Sequence, residues 1–579
     1  MLSALRVADA AVLVISAVGG IEVGAAQAWE HLEERSLPRI VVINKLDREN
    51  SEFDQVVDEI SESLGRKCVP IQIPNGAEAN FTAVGSLIND KTLQEDDGAE
   101  LFERLVEAIA ETDDALAEKY LEGESLTAGE LISGLRIGIA SGEIVPIVAT
   151  AALQEIGVSE LMDAIVDLLP TPDVAAQRDD APEIPEGAEA NLVFKTTADP
   201  FVGKLSYFRV YGEPFVGGSE HWNANKEASE RVGQVSTPKG KESENTEGVI
   251  RGDIGVISRL DVTSTGDTLP HHDNPVTLDG IVLPEPFYAL AAAPNTQSDL
   301  DKMSDALSKL GDEDPSLHIS RDPVTAETII TGLSDVHVEI GIERVERKFG
   351  VALETSLPRI AYMETIGGSA RAEYRHKKQS GGHGQYGHVV IELSPQTRGD
   401  GFVFDSKVVG GNVPREYIPA VEKGVAKSME EDPVAGFPVV DVCVTLVDGS
   451  SHSVDSSGMA FEIAGGLALR QGIPEAHPVL LEPVMHLRVL TPDDLTGDVI
   501  SDLNTKRAHI MGMTPAANGH TFIESEAPLS MVQRYATDLR AITAGRASYE
   551  ATFAHYGEVP QQEMDKIVQQ YKPQVAVAT

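Results

Sequence analysis

Ile40-Val41-Val42-Ile43 is an apolar run without polar alternation, so a strand built from it needs cover on both faces, as in a mainly parallel α/β sheet. Asn44-Lys45-Leu46-Asp47 follows directly, where such a sheet presents its ligand-binding loops. An aspartate there can accept two parallel N–H bonds, which the edge of guanine offers and that of adenine does not. Asn44 and Lys45 would brace the loop and cover the base. The same four residues also suit an ordinary polar loop, and a phosphate half would make the motif specific. That half, G-x-x-x-x-G-K-[ST], is absent. Neither Gly203-Lys204 nor Gly240-Lys241 is followed by Ser or Thr, and neither has a Gly five residues earlier. No Asp-x-Pro-Gly occurs for the magnesium and γ-phosphate side.

A chain of 579 residues is too long for one core and divides into several domains. Its formal charge of -46 excludes a generally basic nucleic-acid binder, because a field of that sign repels phosphate. Any RNA contact must therefore be local. Cys68 and Cys443 lie far apart, so no disulfide framework is expected, and a reducing, cytoplasmic setting fits. No apolar run approaches the roughly 20 residues of a membrane helix. Ala10 to Gly20 could pass for a signal-peptide core, but Asp9 precedes it and Arg6 is the only nearby basic residue. A strand from Ala11 to Ile15, a glycine turn and a helix from Val23 explain the same residues, as mature structure beginning abruptly inside a fold.

Residues 1–173 alternate strand and helix. Strands are expected at 11–15, 39–43, 69–72 and 145–149, and helices at 23–35, 54–64, 98–109 and 158–168. The helix at 98–109, with Ala115 to Leu121, reads as part of an insertion. The Pro-rich, acidic stretch from Leu169 to Pro185 reads as a linker. Short β runs with glycine turns follow over 188–284 (Leu192 to Thr196, Leu205 to Tyr211, Gly248 to Ile257), the pattern of an antiparallel β-barrel. Residues 285–358 and 481–579 each carry the order βαββαβ of a ferredoxin-like unit, without convincing sequence identity between them. Between them, 359–480 is a separate α/β module with one long Gly/His loop.

That loop, RHKKQSGGHGQYGH at 375–388, gathers cations and aromatic rings inside a very acidic chain. Lys377, Lys378, Gln379, Ser380, Gly381, Gly382, His383, Gly384, Gln385 and Tyr386 form its tip. Glycine permits close backbone approach, cations meet phosphates, and Tyr or His stacks on unpaired bases. A solvated loop with an accidental charge cluster has the same composition. A second loop carries His452, which taken alone reads as an exposed histidine, and Asp455 or Ser456 is expected to cap the helix from about 458. His and Cys lack metal-ligand spacing, and no Ser lies in G-x-S-x-G. For Lys506 and Arg507, a place near a helix C-terminus suffices without RNA.

Nearly the whole chain resembles bacterial elongation factor G. The most specific segments are DPFVGKLSYFRVY at 199–211, GDTL at 266–269, HKKQSGGHGQYGHVVIEL at 376–393, PREYIPAVEKG at 414–424, TPDDLTGDVISDL at 491–503 and GRASYEATF at 545–553. The resemblance implies a P-loop-type GTPase domain, a β-barrel, a ferredoxin-like domain, an elongated tip domain with a ribosomal-protein-like βαβ core, and a second ferredoxin-like domain. It implies GTP or GDP with magnesium as ligands, and the ribosome, with its rRNA and the tRNA and mRNA of the decoding site, as partner of a monomer. Asn44, Lys45 and Asp47 would bind guanine, together with Ala151 and Ala152 of a second loop. The 380–387 loop and His452 would form the tip that enters the decoding centre.

Three departures accompany the resemblance. The chain begins after the family's phosphate loop, so its GTPase domain is expected to be incomplete or divergent. The second guanine loop, usually Gly-Ser-Ala, reads Thr150-Ala151-Ala152, which loses a hydroxyl but keeps backbone N–H groups. The usual Gly-Met-Gly-Glu-Leu-His reads Gly332-Leu333-Ser334-Asp335-Val336-His337, as a divergent paralogue would. The expected function is GTP-dependent translocation. The alternatives are nucleotide-independent ribosome binding, for protection or recycling, and a specialised recycling role.

Overall fold

A computed structural model describes residues 1–95, 98–178, 181–199, 202–240, 242–378, 384–409, 412–430, 436–516 and 519–575. Residues 1–284, with 304–316 and 344–351, form one compact unit, and the remaining residues form a second.

In the first unit a parallel sheet runs in the order Ala11–Ser16, Arg39–Asn44, Val145–Ala149, Cys68–Pro70. The apolar run is buried on both sides, as its lack of alternation requires. Val41 and Ile43 pack with Phe53, Val56 and Ile60 of the helix Phe53–Ser63. Ile40 and Val42 join Leu105, Ile109, Leu135 and Ala164 from helices on the opposite face. Each such side chain contributes about 1.5–3 kcal/mol through burial. The edge strand differs. Val12 and Val14 pair in register with Ile40 and Val42 but remain 37% and 56% exposed.

Two local expectations are corrected in this domain. The strand expected at 69–72 is divided: Cys68–Pro70 stays in the parallel sheet, while Gln72–Asn75 pairs antiparallel with Ala83–Ser86. A helix unforeseen in the sequence, Ala128–Ser141, opens with a capping box in which Thr127 and Glu130 satisfy each other's backbone N–H groups. The linker is also more ordered than its composition implied. It includes the helix Pro172–Ala175, and Arg178 Nη2 donates to the carbonyls of Arg35 and Ser36 at 2.8 and 2.9 Å. Those carbonyls lie just past the helix Val23–Glu34, where intrahelical donors run out.

The β-rich domain is a five-stranded antiparallel sheet in the order Glu242–Thr246, Val235–Lys239, Ile254–Ser258, Gly203–Val210, Asn191–Asp199. Two short ribbons accompany it around a core that includes Phe208, Phe215 and Val235. The run expected from Gly248 to Ile257 is broken into Gly248–Val249 and Ile254–Ser258.

In the second unit, both four-stranded ferredoxin-like patterns are present. Strands His318–Arg321, Thr328–Gly332, Tyr288–Pro294 and Leu353–Ser356 are neighbours in that order. Strands His509–Ala516, His520–Pro528, Pro478–Pro492 and Ser548–Glu558 repeat it. The second sheet gains a strand from outside the expected range, because Met363–Ile366 pairs with residues 478–481. The helix expected at 529–541 is broken into Leu529–Val532 and Tyr535–Thr543.

Between these sheets lies a four-stranded sheet, Ala370–Lys378, Gln385–Pro395, Val442–Ser450, Phe402–Ser406. Its last two strands are parallel and joined through the helix Ile418–Glu430, which is the expected βαβ core. That helix packs with Gly458–Gly472 through Val421, Val425, Phe461 and Ala464.

Candidate functional site

Asn44 ends its strand, and the chain leaves it through Lys45, whose φ of 67° places a non-glycine residue in the left-handed region. Strain of that kind persists only where surroundings over-determine it. The hydroxyl of Ser51 donates to the carbonyls of Leu46 and Arg48 at 2.9 and 2.7 Å, closing the loop on itself. Leu46 is buried beneath it. The Asp47 carboxylate has Arg48 at 3.9 Å, beyond hydrogen-bond reach, so both oxygens are open to two donors.

The structure brings the second loop against the first. Asn44 Oδ1 accepts from the Ala152 N–H at 3.0 Å and from the Thr150 hydroxyl at 3.2 Å. Ala151 is buried, and its N–H donates to the Ile156 carbonyl at 3.0 Å. The backbone N–H groups of Ala151 and Ala152 are therefore both engaged within the protein. Thr150 and Ser51 are the residues that sequence reading missed. Their hydroxyls act on partners 106 and 5 residues away, and no local signal marks the first. A cleft lined by Ser16, Gly20, Glu22, Gly24, Asn44 and Lys45 opens beside the loop, at the C-terminal ends of the strands.

The paired N–H donors of guanine fit the two acceptor oxygens of Asp47. A nucleotide's phosphates and magnesium do not fit what lies next to it: the carboxylate of Glu59 accepts the Ile21 N–H at 2.9 Å, and Glu22 lines the cleft. No group of three or more potential metal ligands occurs among the described residues. No hydrolytic step is assigned to these residues.

The second candidate site lies on the tip of the hairpin made by Ala370–Lys378 and Gln385–Pro395. Lys377 faces Tyr386 and Lys378 faces Gln385 in register. Gln379, Ser380, Gly381, Gly382 and His383 lie outside the described residues. The loop after Val442–Ser450 closes on the hairpin through main-chain contacts. The Gly384 N–H donates to Asp455 Oδ1 at 3.0 Å, the Tyr386 N–H to the Asp455 carbonyl at 2.8 Å, and Ser456 Oγ to the Tyr386 carbonyl at 3.0 Å. Gly387 is required here, since a Cβ on it would stand 2.6 Å from the Ala460 carbonyl.

His452 is thereby brought to Tyr386, with ring centroids 6.2 Å apart. Its Nδ1 has the backbone N–H groups of Val454 and Asp455 at 3.4 and 3.2 Å and the Asp455 carboxylate at 3.2 Å, which hold the ring in place. Tyr386 Oη and His388 Nδ1 both meet Ser450 Oγ, at 2.8 and 2.9 Å. Asn412, then the Gly449 N–H, hold the Asp448 carboxyl below the usual carboxylate range. The helix cap is corrected: Ser457 caps it through the Ala460 N–H, while Asp455 and Ser456 stitch the two loops together. Lys506 and Arg507 have structural partners. Lys506 pairs with Asp502 and Asp538 at 2.8 and 3.0 Å, and Arg507 meets the buried Glu482 at 2.7 Å.

An α/β domain with a guanine-type loop, followed by a β-rich domain, two ferredoxin-like sheets and a tip module between them, is the architecture of a GTP-binding translation factor. Family comparisons agree along the chain. Residues 1–171 match the elongation factor Tu GTP-binding domain, 189–271 elongation factor G domain 2, 283–357 its domain III, 358–477 its domain IV and 479–567 its C-terminus. Among solved structures, a protein from Thermus thermophilus is 32% identical, with a TM-score of 0.80, covering 99% of this chain and 87% of that one. The chain belongs to the elongation factor G family.

Proposed function

We propose that this chain is a ribosome-acting, cytoplasmic translation factor of the translocation type, which reads guanine through Asp47 and reaches RNA through the tip bearing Tyr386 and His452. The tip carries the reading. A Gly-rich hairpin and a histidine loop, 66 residues apart between Tyr386 and His452, are stitched into one surface by the carboxylate of Asp455 and the hydroxyl of Ser456. Lys377 and Lys378 supply cations beside two rings, the combination that contacts phosphate and stacks on unpaired bases. The acidic remainder, within a net charge of -46, limits adhesion elsewhere.

The carboxylates of Glu22 and Glu59 beside the guanine-type loop repel phosphate, which favours ribosome binding without nucleotide as a second reading. One experiment separates them. Ribosome association of the full chain is measured with GTP, GDP or neither, and with Asp47→Ala. Guanine-dependent association, weakened at least about tenfold by Asp47→Ala, supports the first reading. Association indifferent to nucleotide and to Asp47 supports the second. No association in any state removes both.

A further inference from the structure

On the tip module, a chain of side-chain hydrogen bonds leads across three strands to Tyr386. Ala372 and Val389 lie in the core that this sheet shares with its helices. Their neighbours Glu373 and His388 therefore stand on the opposite face of the sheet. Tyr386 shares that face two residues before His388, and Ser450 pairs with His388 in register. His388 Nε2 meets Glu373 Oε1 at 2.9 Å, and its Nδ1 meets Ser450 Oγ at 2.9 Å. Ser450 Oγ in turn meets Tyr386 Oη at 2.8 Å. Gly449 lets the strands come this close, since a Cβ on it would stand 2.3 Å from the His388 carbonyl.

The carboxylate sets the direction of each bond in the chain. An ionised carboxylate only accepts, so His388 donates from Nε2 to Glu373. Nδ1 of the neutral imidazole is then an acceptor, and the Ser450 hydroxyl donates to it. With its one proton used, Ser450 Oγ accepts the hydroxyl of Tyr386. The phenol proton thus points inward, and the phenol oxygen keeps a lone pair for an outside donor. Lys377 stands directly opposite Tyr386 in register, so a backbone phosphate held by that lysine brings its adjoining sugar toward the phenol.

We propose that Ser450 is a positioning residue of the tip that fixes the Tyr386 hydroxyl as an acceptor for an RNA 2′-hydroxyl, which rests on the reading of the tip as the RNA-contacting surface. A 2′-hydroxyl supplies a donor at every nucleotide, whereas a phosphodiester oxygen supplies none. Deoxyribose lacks that group. Tyr386 then tells RNA from DNA, and Ser450 aligns the contact without touching the RNA.

The test uses the full chain and two labelled single strands of about 12 nucleotides, oligouridine and its 2′-deoxy counterpart. Binding is followed by fluorescence anisotropy at low salt and about pH 8. The native protein should bind the RNA about three- to tenfold more tightly than the DNA. Ser450→Ala and Tyr386→Phe should each abolish that preference, and the double variant should lose nothing further. Ser450→Thr, which keeps the hydroxyl, should retain it. A residue that merely braced the strand would weaken both probes alike, as Lys377→Ala should by removing a phosphate contact. Equal binding of both probes by the native protein, or an intact preference in Ser450→Ala, overturns the positioning role alone. Binding of neither probe, or binding that neither Lys377→Ala nor Tyr386→Phe alters, overturns the tip reading and the positioning role together.

Discussion

Asn44 does structural work that its place in a four-residue motif conceals. Its Oδ1 holds the Thr150 hydroxyl and the Ala152 N–H, so one carboxamide joins two loops more than 100 residues apart. Glu130 shows a similar economy. Lys119 first, then the Thr127 N–H and hydroxyl, depress its carboxyl from 4.5 to about 2. A depressed value means that its stabilisation is complete above about 4.5 and disappears as pH falls toward about 2. Amide-exchange protection in the helix Ala128–Ser141, taken relative to the intrinsic rate at each pH, should therefore fall over that interval in the native protein. In Glu130→Gln protection should be lower at neutral pH and nearly flat across the same interval. Identical profiles for both proteins would count against the carboxylate's role.

Among the elements, Ala11–Ser16 and the tip hairpin carry the sharpest expectations. The first is an edge strand whose Val12 and Val14 lie on the face covered elsewhere by the helix Val158–Leu168, which itself leaves Met162 and Val166 56% and 76% exposed. An open apolar edge is a template for intermolecular pairing. Val14→Lys should reduce concentration-dependent aggregation while changing stability by no more than about 0.5 kcal/mol. Light scattering during concentration checks it, and unchanged aggregation would show that the edge is not the cause. For the tip, His452→Ala or deletion of Gly381 to Gly384 should impair ribosome-dependent activity in a GTPase-competent protein while leaving far-UV circular dichroism within error. Full activity in both variants would remove the tip assignment.

The sharpest expectation for the whole molecule concerns charge. With 92 acidic against 46 basic side chains, self-repulsion opposes every compact state, and salt screens it over a Debye length of about 10 Å at 0.1 M. Tm should rise between low and molar sodium chloride even though exposed ion pairs such as Lys239–Glu244 weaken. A falling Tm over that range would mean that the pairs outweigh the repulsion. Ribosome binding through a local cationic tip should weaken with salt over the same range, the opposite sign, which separates the two effects in one titration series.

Much of this was written along the chain itself. Local periodicity and unbroken apolar runs identify the α/β domain, the βαββαβ units and the βαβ tip module, because cover on both faces, or on alternate faces, is a short-range property. The Asn44 to Asp47 loop and the 375–388 hairpin were legible for the same reason: each is one contiguous segment with its own chemistry. The helix Ala128–Ser141 was hidden by its three glycines, although the Thr127 and Glu130 capping box marked its start. The remaining features depend on partners distant in sequence. Asp455 reaches Gly384 across 71 positions, and Ser457 takes over the helix cap. Met363–Ile366 joins a sheet that begins at Pro478. A cavity lined by Arg6, Pro172 and Arg209 exists only because the linker, the first residues and the β-rich domain fold onto one another. No spacing rule connects such residues. Backbone closure places them together, and the hydrogen bonds and charges found there follow from that placement.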